Sequence, residues 1–189
     1  MLAEHTDNPQ LDVTLRTLDR AEFTVRADEL IAIYLAAMRY PAGSAAGRRQ
    51  LWHEHGLRAR FSCITAFGPN DIPLAFCYGY RGQTGQWWHD EVRRGMPPVT
   101  AAEWLTDYVE LTELHVHPGH QGRLLGERVL RRFLAGRSEG RVLLSTPEGE
   151  NRAWRLYRRL GFQDVTRGHR FTGDPRPFGI LGRSLPLRS

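Results

Sequence analysis

Apolar and polar residues alternate along LDVTLRTL (residues 11–18), the period of a strand with one buried face. From 20 to 40 the period lengthens, and Leu30, Ile31, Tyr34, Leu35 and Met38 fall on one stripe of a single helix. PAGSAAG (41–47) is a flexible connection, and Leu51, Trp52 and His55 mark a short helix after it. Two strand-like runs, 61–67 and 72–80, are joined by GPND, whose turn chemistry predicts a hairpin. Residues 81–107 interrupt the pattern with a long, aromatic-rich insertion carrying Trp87, Trp88 and Trp104, and long connections of this kind tend to carry function. Beyond it YVELTELHV reads as a strand, 123–135 as a helix, RVLLST (141–146) as a strand and 151–160 as a helix stopped by Gly161. GFQDV begins another extended segment, and the tail from 169 to 187 supplies one more strand. A hairpin followed by a β-α-β-α-β half predicts a mixed α/β fold, a sheet covered by helices.

The strand YVELTELHV changes parity. Val109 and Leu111 are odd, Leu114 and Val116 even, so an uninterrupted strand would send the two pairs to opposite faces. One extra residue near Thr112-Glu113 returns all four to one face, which is the trace of a β-bulge, a feature that often borders active sites. Glu110 and Glu113 then both point away from the apolar face toward a cleft. The alternative is a central strand buried on both sides, with two carboxylates needing partners in the core at considerable cost.

The chain has 189 residues, 41% of them hydrophobic, enough for one core. We expect a loose tail over 1–10 and a single domain over 11–189, with 81–107 as its insertion. The longest apolar run, LIAIYLAAM, is too short to span a bilayer. The opening MLAEHTDNPQ is polar, so a soluble, cytoplasmic protein without membrane association is expected. Cys63 and Cys77 lie in separate strand-like runs, as buried free thiols do, and no spacing of Cys or His suggests a metal site. The net charge is +5, and all 26 basic residues are arginine. A chain without lysine has no P-loop lysine and no Schiff-base amine, and it cannot acetylate a lysine of its own. The arginines are scattered as singlets and doublets, with no long basic run or aromatic-basic platform, so no nucleic-acid partner is expected.

HVHPGHQGRLLGERVL (115–130) leaves a strand, turns at Pro118-Gly119 and enters a helix whose first turn offers unpaired N–H groups and a positive dipole end to an anion. This loop resembles the acetyl-CoA loop of the GNAT N-acetyltransferase superfamily, Q/R-x-x-G-x-G/A after a strand ending V-x-P. Val116, Pro118, Gln121 and Gly126 match, and Leu124 stands at the first glycine. ENRAWRLYRRLGF (150–162) is similar to the family's second hallmark through Asn151, Leu156, Tyr157, Gly161 and Phe162, with Ala153 one place early.

The resemblance implies a mostly antiparallel mixed sheet with a β-bulge, splayed central parallel strands and helices on both faces. It implies acetyl-CoA as cosubstrate, without metal. The donor-binding set carried over is Leu114, His115, Val116, Gln121, Gly122, Arg123, Leu124, Leu125, Gly126, Glu127, Asn151 and Tyr157. Within it, the backbone of Leu114 and Val116 holds the pantetheine arm, and the amides of residues 123–126 hold the pyrophosphate. Leu124 keeps the N–H that a phosphate uses. With helical dihedrals it is favoured over glycine by up to about 1 kcal/mol. With left-handed dihedrals it costs roughly 1–2 kcal/mol, about a five- to thirtyfold weaker complex. Several hydrogen bonds to a charged group, about 1.5–3 kcal/mol each, outweigh that cost, so phosphate binding is expected to survive.

Acyl transfer needs a neutral amine, yet a primary amine near pKa 10.4 is protonated at pH 7 by a factor of ~10³. A carboxylate can accept that proton. Glu110 occupies a catalytic glutamate position of some family members and is the first candidate; Glu113 is the second. Both also have a plain surface or capping reading. Tyr157 resembles the tyrosine that donates to the CoA sulfur, although it also lies on the helical stripe Ala153, Leu156, Tyr157, Leu160 and could be core. In the insertion, Trp87, Trp88 and Asp90 mix indoles with a carboxylate and suit a cationic amine, or else pack as a lid over the sheet edge. The expected reaction is direct acetyl transfer to a primary amine of a small molecule or peptide, in a monomer or homodimer. A non-catalytic acyl-CoA-binding module on the same fold is the alternative.

Overall fold

A computed structural model describes residues 12–187. The expected tail over 1–10 and Leu11 lie outside the described residues. The first strand, β1 (Thr14–Leu18), leads through the capping box of Asp19 and Glu22 into α1 (Arg20–Val25) and then α2 (Ala27–Met38). One helix was expected here. The chain kinks at Arg26, whose guanidinium reaches Asp71 and Glu29, and Phe23, Leu30 and Ile31 are thereby buried in one cluster. Helix α3 (Ala45–Gly56) follows, and β2 (Ser62–Phe67) and β3 (Pro73–Arg81) form the expected hairpin. The insertion folds into α4 (Trp87–Arg94) and α5 (Pro98–Trp104). Two of its indoles, Trp88 and Trp104, are core residues with Val92 and Met96, and Trp87 is left 55% exposed. Then come β4 (Tyr108–Val116), α6 (Leu125–Ala135), β5 (Arg141–Pro147), α7 (Arg152–Arg159), β6 (Gln163–His169) and β7 (Phe178–Ser184).

The strands form one sheet in the order β1-β2-β3-β4-β5-β7-β6, antiparallel except for the β4–β5 pair. One face packs on α6 and α7, where Val109, Leu111, Val129, Phe133 and Leu160 share a cluster. The other face is covered in two patches. Phe76, Tyr78 and Tyr80 meet α1 to α3, while Tyr108, Leu143 and Ile180 meet α4 and α5. The boundary between the patches falls on β4. Cys63 and Cys77 are buried free thiols, as expected. Among the described residues no helix is long and apolar enough to cross a membrane.

The bulge lies where the parity change put it. Tyr78 pairs with Glu113 and Gly79 with Leu111, so Thr112 is the extra residue. Val109, Leu111, Leu114 and Val116 consequently pack on one cluster. The partner strand must be glycine at this point, because a Cβ on Gly79 would lie 2.0 Å from the Glu110 carbonyl oxygen. On its other side β4 pairs with β5 only through Tyr108, Val109 and Glu110. Beyond Glu110 the two parallel strands separate, leaving a slot between their C-terminal halves.

Candidate active site

The slot opens into a cavity of about 1240 Å³. Its walls are the diverging strands, the start of α6, the exposed side of α7, the end of α2 and the β6–β7 loop. Glu110 sits at its floor, 3% exposed. Its Oε1 accepts from the Tyr80 hydroxyl at 3.0 Å and from Thr112 Oγ1 at 3.4 Å, while the buried Oε2 has no hydrogen-bond partner. Burial dominates and pushes the carboxyl up to about 7, although the donors oppose it. A carboxylate near neutrality with one unpartnered oxygen, on a residue that lines a cleft, is suited to take a proton.

Glu113 also lines the cleft, but both its oxygens are engaged, one by His115 Nε2 at 2.6 Å and the other by Arg48 at 3.6 Å. The bulge therefore brings the two candidate carboxylates to one cleft and their neighbours separate them: Glu110 has an unused oxygen, Glu113 has partners. Tyr157 is 6% exposed, packs against Phe162 and lines the cavity, so it is a core residue that also borders the cleft. Burial raises its phenol above the ordinary value, so it remains a proton donor across the physiological range.

At the mouth, a short 3-10 turn (Pro118–His120) leads into Gly122 (φ 80°) and Leu124 (φ 58°), both left-handed. Leu124 is the N-cap of α6 and makes no side-chain cap, and the first helical bond runs from Arg128 N to Leu124 O at 3.0 Å. The N–H groups of Leu125, Gly126 and Glu127 therefore have no partner inside the helix, which is the arrangement an anion completes. Gly126 lets the helix approach β4, since a Cβ there would lie 3.3 Å from Val116 Cγ2. Glu127 in this turn is neutralised by Arg159 at 2.7 Å and Arg131 at 2.9 Å, and these bonds hold its carboxyl below the ordinary range.

The left-handed branch of the Leu124 expectation is the one realised, with the side chain 64% exposed. The turn is fixed from both sides: Gln121 Nε2 donates to Val116 O at 3.3 Å and Arg152 to Gln121 Oε1 at 2.6 Å. The strain therefore falls on folding, not on ligand binding. Leu124→Gly should raise folding stability by about 0.5–1 kcal/mol, the relief of strain less the added chain entropy. Denaturant titration checks the gain, and the dissociation constant for acetyl-CoA should stay within about twofold of wild type.

Leu114, His115, Val116, Gln121, Gly122, Leu125, Gly126 and Glu127 all line the cavity, as does Asn151, which caps α7 by accepting from Trp154 N at 3.0 Å. Arg123 is exposed and is not among the lining residues. Trp87 and Trp88 line the opposite end; Trp87 packs on Phe171, and Trp88 Nε1 donates to Ser145 Oγ at 3.0 Å. Asp90 does not reach the cleft. It accepts from Gly85 N at 3.3 Å and faces Arg93 and Arg94 outside. The lining also includes residues to which sequence patterns assigned no site role: Tyr34, Tyr40, Arg48, Arg58, Tyr80 and, on α7, Arg152, Arg155 and Arg159. The last three were legible as an i, i+3, i+7 stripe; the others come from strand register and loop closure.

A bulged strand beside a splayed parallel neighbour, with a helix N-terminus at the mouth and a buried carboxylate at the floor, defines an acyl-transfer cleft. Residues 89–164 match the family model described as an acetyltransferase (GNAT) domain. A GCN5-like protein acetyltransferase of Mycobacterium tuberculosis is 44% identical over 204 residues, covering 93% of this chain and 99% of that protein. The chain belongs to the GNAT acetyltransferase superfamily. Its fold is similar to that of the Escherichia coli ribosomal-protein-S18-alanine N-acetyltransferase, at 16% identity and a TM-score of 0.63 over 94% of this chain and 97% of that one. It is likewise similar to the Salmonella typhimurium protein yncA, solved with its cofactor acetyl-CoA, at 15% identity and a TM-score of 0.64 over 94% and 96% of the two chains.

Proposed function

We propose that this protein moves an acetyl group from acetyl-CoA directly to a primary amine of a small molecule or peptide, with Glu110 as base and Tyr157 beside the leaving sulfur. The observation that carries the reading is the unpartnered, buried Oε2 of Glu110 in the cleft. The residues present fit the donor. Past Glu110, β4 has no strand partner on its β5 side, so its backbone groups there, other than the Val116 carbonyl that accepts from Gln121, are available to an amide-bearing arm. The N–H groups at the start of α6 suit a pyrophosphate.

In the reaction, Glu110 accepts a proton from the ammonium, directly or through water, and the neutral nitrogen bonds to the thioester carbonyl carbon. A backbone N–H near Val116 stabilises the oxyanion. The carbon–sulfur bond then breaks, the nitrogen gives its second proton to solvent, and the thiolate leaves against the Tyr157 hydroxyl. With a phenol more basic than a thiol, the tyrosine stabilises the thiolate by a hydrogen bond and does not give up its proton outright.

The acceptor end is lined by Tyr34, Tyr40, Trp87, Trp88, Phe171 and Phe178, with Asp174 and Glu113 among them. Both carboxylates are already paired, Asp174 with Arg176 and Glu113 with Arg48, so it is the aromatic faces that suit a protonated amine. Arg176 donates to Tyr40 at 3.2 Å and spans from the β6–β7 loop to the α2–α3 connection, narrowing that end. The name of the mycobacterial relative makes peptide amines part of the test. Thiol release from acetyl-CoA across a panel of small amines, N-terminal peptides and lysine peptides should show turnover with amines and none with matched alcohols. Turnover that is no faster with any amine than with water would overturn the acceptor reading.

A further inference from the structure

Glu110 does not stand alone at the floor of the cleft. Tyr80 is its partner in the β3–β4 register, is 1% exposed, and donates to Oε1. Arg58, in the connection after α3, donates in turn to the Tyr80 oxygen and lays its guanidinium 4.5 Å above the Tyr80 ring. Thr112, the residue extruded by the bulge, supplies the second donor to Oε1. All four residues line the same cavity. The result is asymmetric, with two donors on one carboxylate oxygen and none on the other, which is also buried. A carboxylate held this way cannot rotate freely, and its free oxygen has one direction to face.

We propose that Tyr80 and Arg58 are positioning residues for the base: by occupying Oε1 they leave Oε2 as the atom that receives the amine proton. This rests on the reading of Glu110 as base. The same donors stabilise the ionised carboxylate against burial, so they set the pH at which the enzyme turns on. The groups facing Glu110 are few. From β3 come Tyr78 and Tyr80, and from α3 and the loop after it His55 and Arg58. From β4 come Tyr108 and Glu113, the latter tied to Arg48 and His115. From α4, His89 bonds the Tyr108 hydroxyl at 3.0 Å. Burial pushes His55 down to about 3, lowers His89, and raises the three tyrosines.

The test is the pH profile of kcat/KM for wild type, Tyr80→Phe, Arg58→Gln, His115→Asn and Glu110→Gln, with a fixed amine. Tyr80→Phe should move the acid limb upward by about one pH unit. Its rate should fall at every pH as the carboxylate loses its orientation, and about tenfold further at low pH, with KM for acetyl-CoA unchanged. Arg58→Gln should shift the limb the same way by a smaller amount, and Arg58→Lys should restore part of it. A limb that moves in His115→Asn and not in Tyr80→Phe would assign the titration elsewhere and overturn the proposal. A limb left in place in both Tyr80→Phe and Arg58→Gln overturns the proposal, whatever the loss in rate. Should Tyr80→Phe fail to fold, the half-buried Arg58 supplies the deciding variant. If Glu110→Gln retains the limb, the base assignment itself fails, and this outcome is distinct from the others.

Discussion

Glu110→Gln lowers kcat/KM by about 10²–10⁴, the range by which a positioned general base contributes. The loss is largest above pH 7. In the wild-type enzyme the carboxyl is pushed up to about 7 by burial, so the ionised, proton-accepting form is scarce at pH 6 and dominant at pH 8. The wild-type rate therefore climbs through this window, and in the variant the climb disappears. Stability moves the opposite way. Because the folded-state value lies above the ordinary carboxylate value, ionising Glu110 opposes folding. That cost is absent at pH 4 and develops as pH rises toward 7. Glu110→Gln, whose amide oxygen can still accept from Tyr80, should be more thermally stable than wild type at pH 8 and not at pH 4. Steady-state kinetics and thermal melts at the two pH values check both halves. A variant that is slow because it is unfolded would show the reverse stability.

Tyr157→Phe lowers kcat by about 10- to 100-fold and leaves acetyl-CoA affinity within about twofold. A hydrogen bond to a developing charge is worth about 1.5–3 kcal/mol, which corresponds to a loss of this size. The ring keeps its place against Phe162, and phenylalanine fills the same volume. Rapid quench of a single turnover separates the chemical step from binding. Equal losses in kcat and in affinity would assign Tyr157 to packing alone.

Much of this site was legible because its determinants are local. A parity change within nine residues of β4 was enough to locate the bulge, since side-chain alternation is strict and an extra residue is the simplest repair. Val116, Pro118, Gln121 and Gly126 marked the loop for the same reason. Leu124 was different. Its residue type allowed either helical or left-handed dihedrals, and only the bonds of Gln121, Arg152 and Arg128 around it select the second. The insertion was read only as a long, aromatic-rich connection because Trp88, Val92 and Met96 bury themselves against β5 and β7, which lie far away in sequence. The same limit hid Tyr80 and Arg58. Their function depends on the β3–β4 register and on a loop folding back over β3, and neither leaves a local pattern. Asp90 shows the converse: proximity in sequence to two cleft tryptophans suggested a site residue, and helical geometry turned it outward.

The most direct test of the account is calorimetric titration of the wild-type protein with acetyl-CoA, beside CoA and desulfo-CoA. The account predicts micromolar binding of acetyl-CoA and CoA through the α6 N-terminus and the splayed slot, and comparable binding of desulfo-CoA, which keeps the pyrophosphate and the pantetheine arm. Absence of binding up to millimolar concentration would contradict it, because a left-handed Leu124 would then have closed the phosphate site and the acetyl donor would have no place in the cleft.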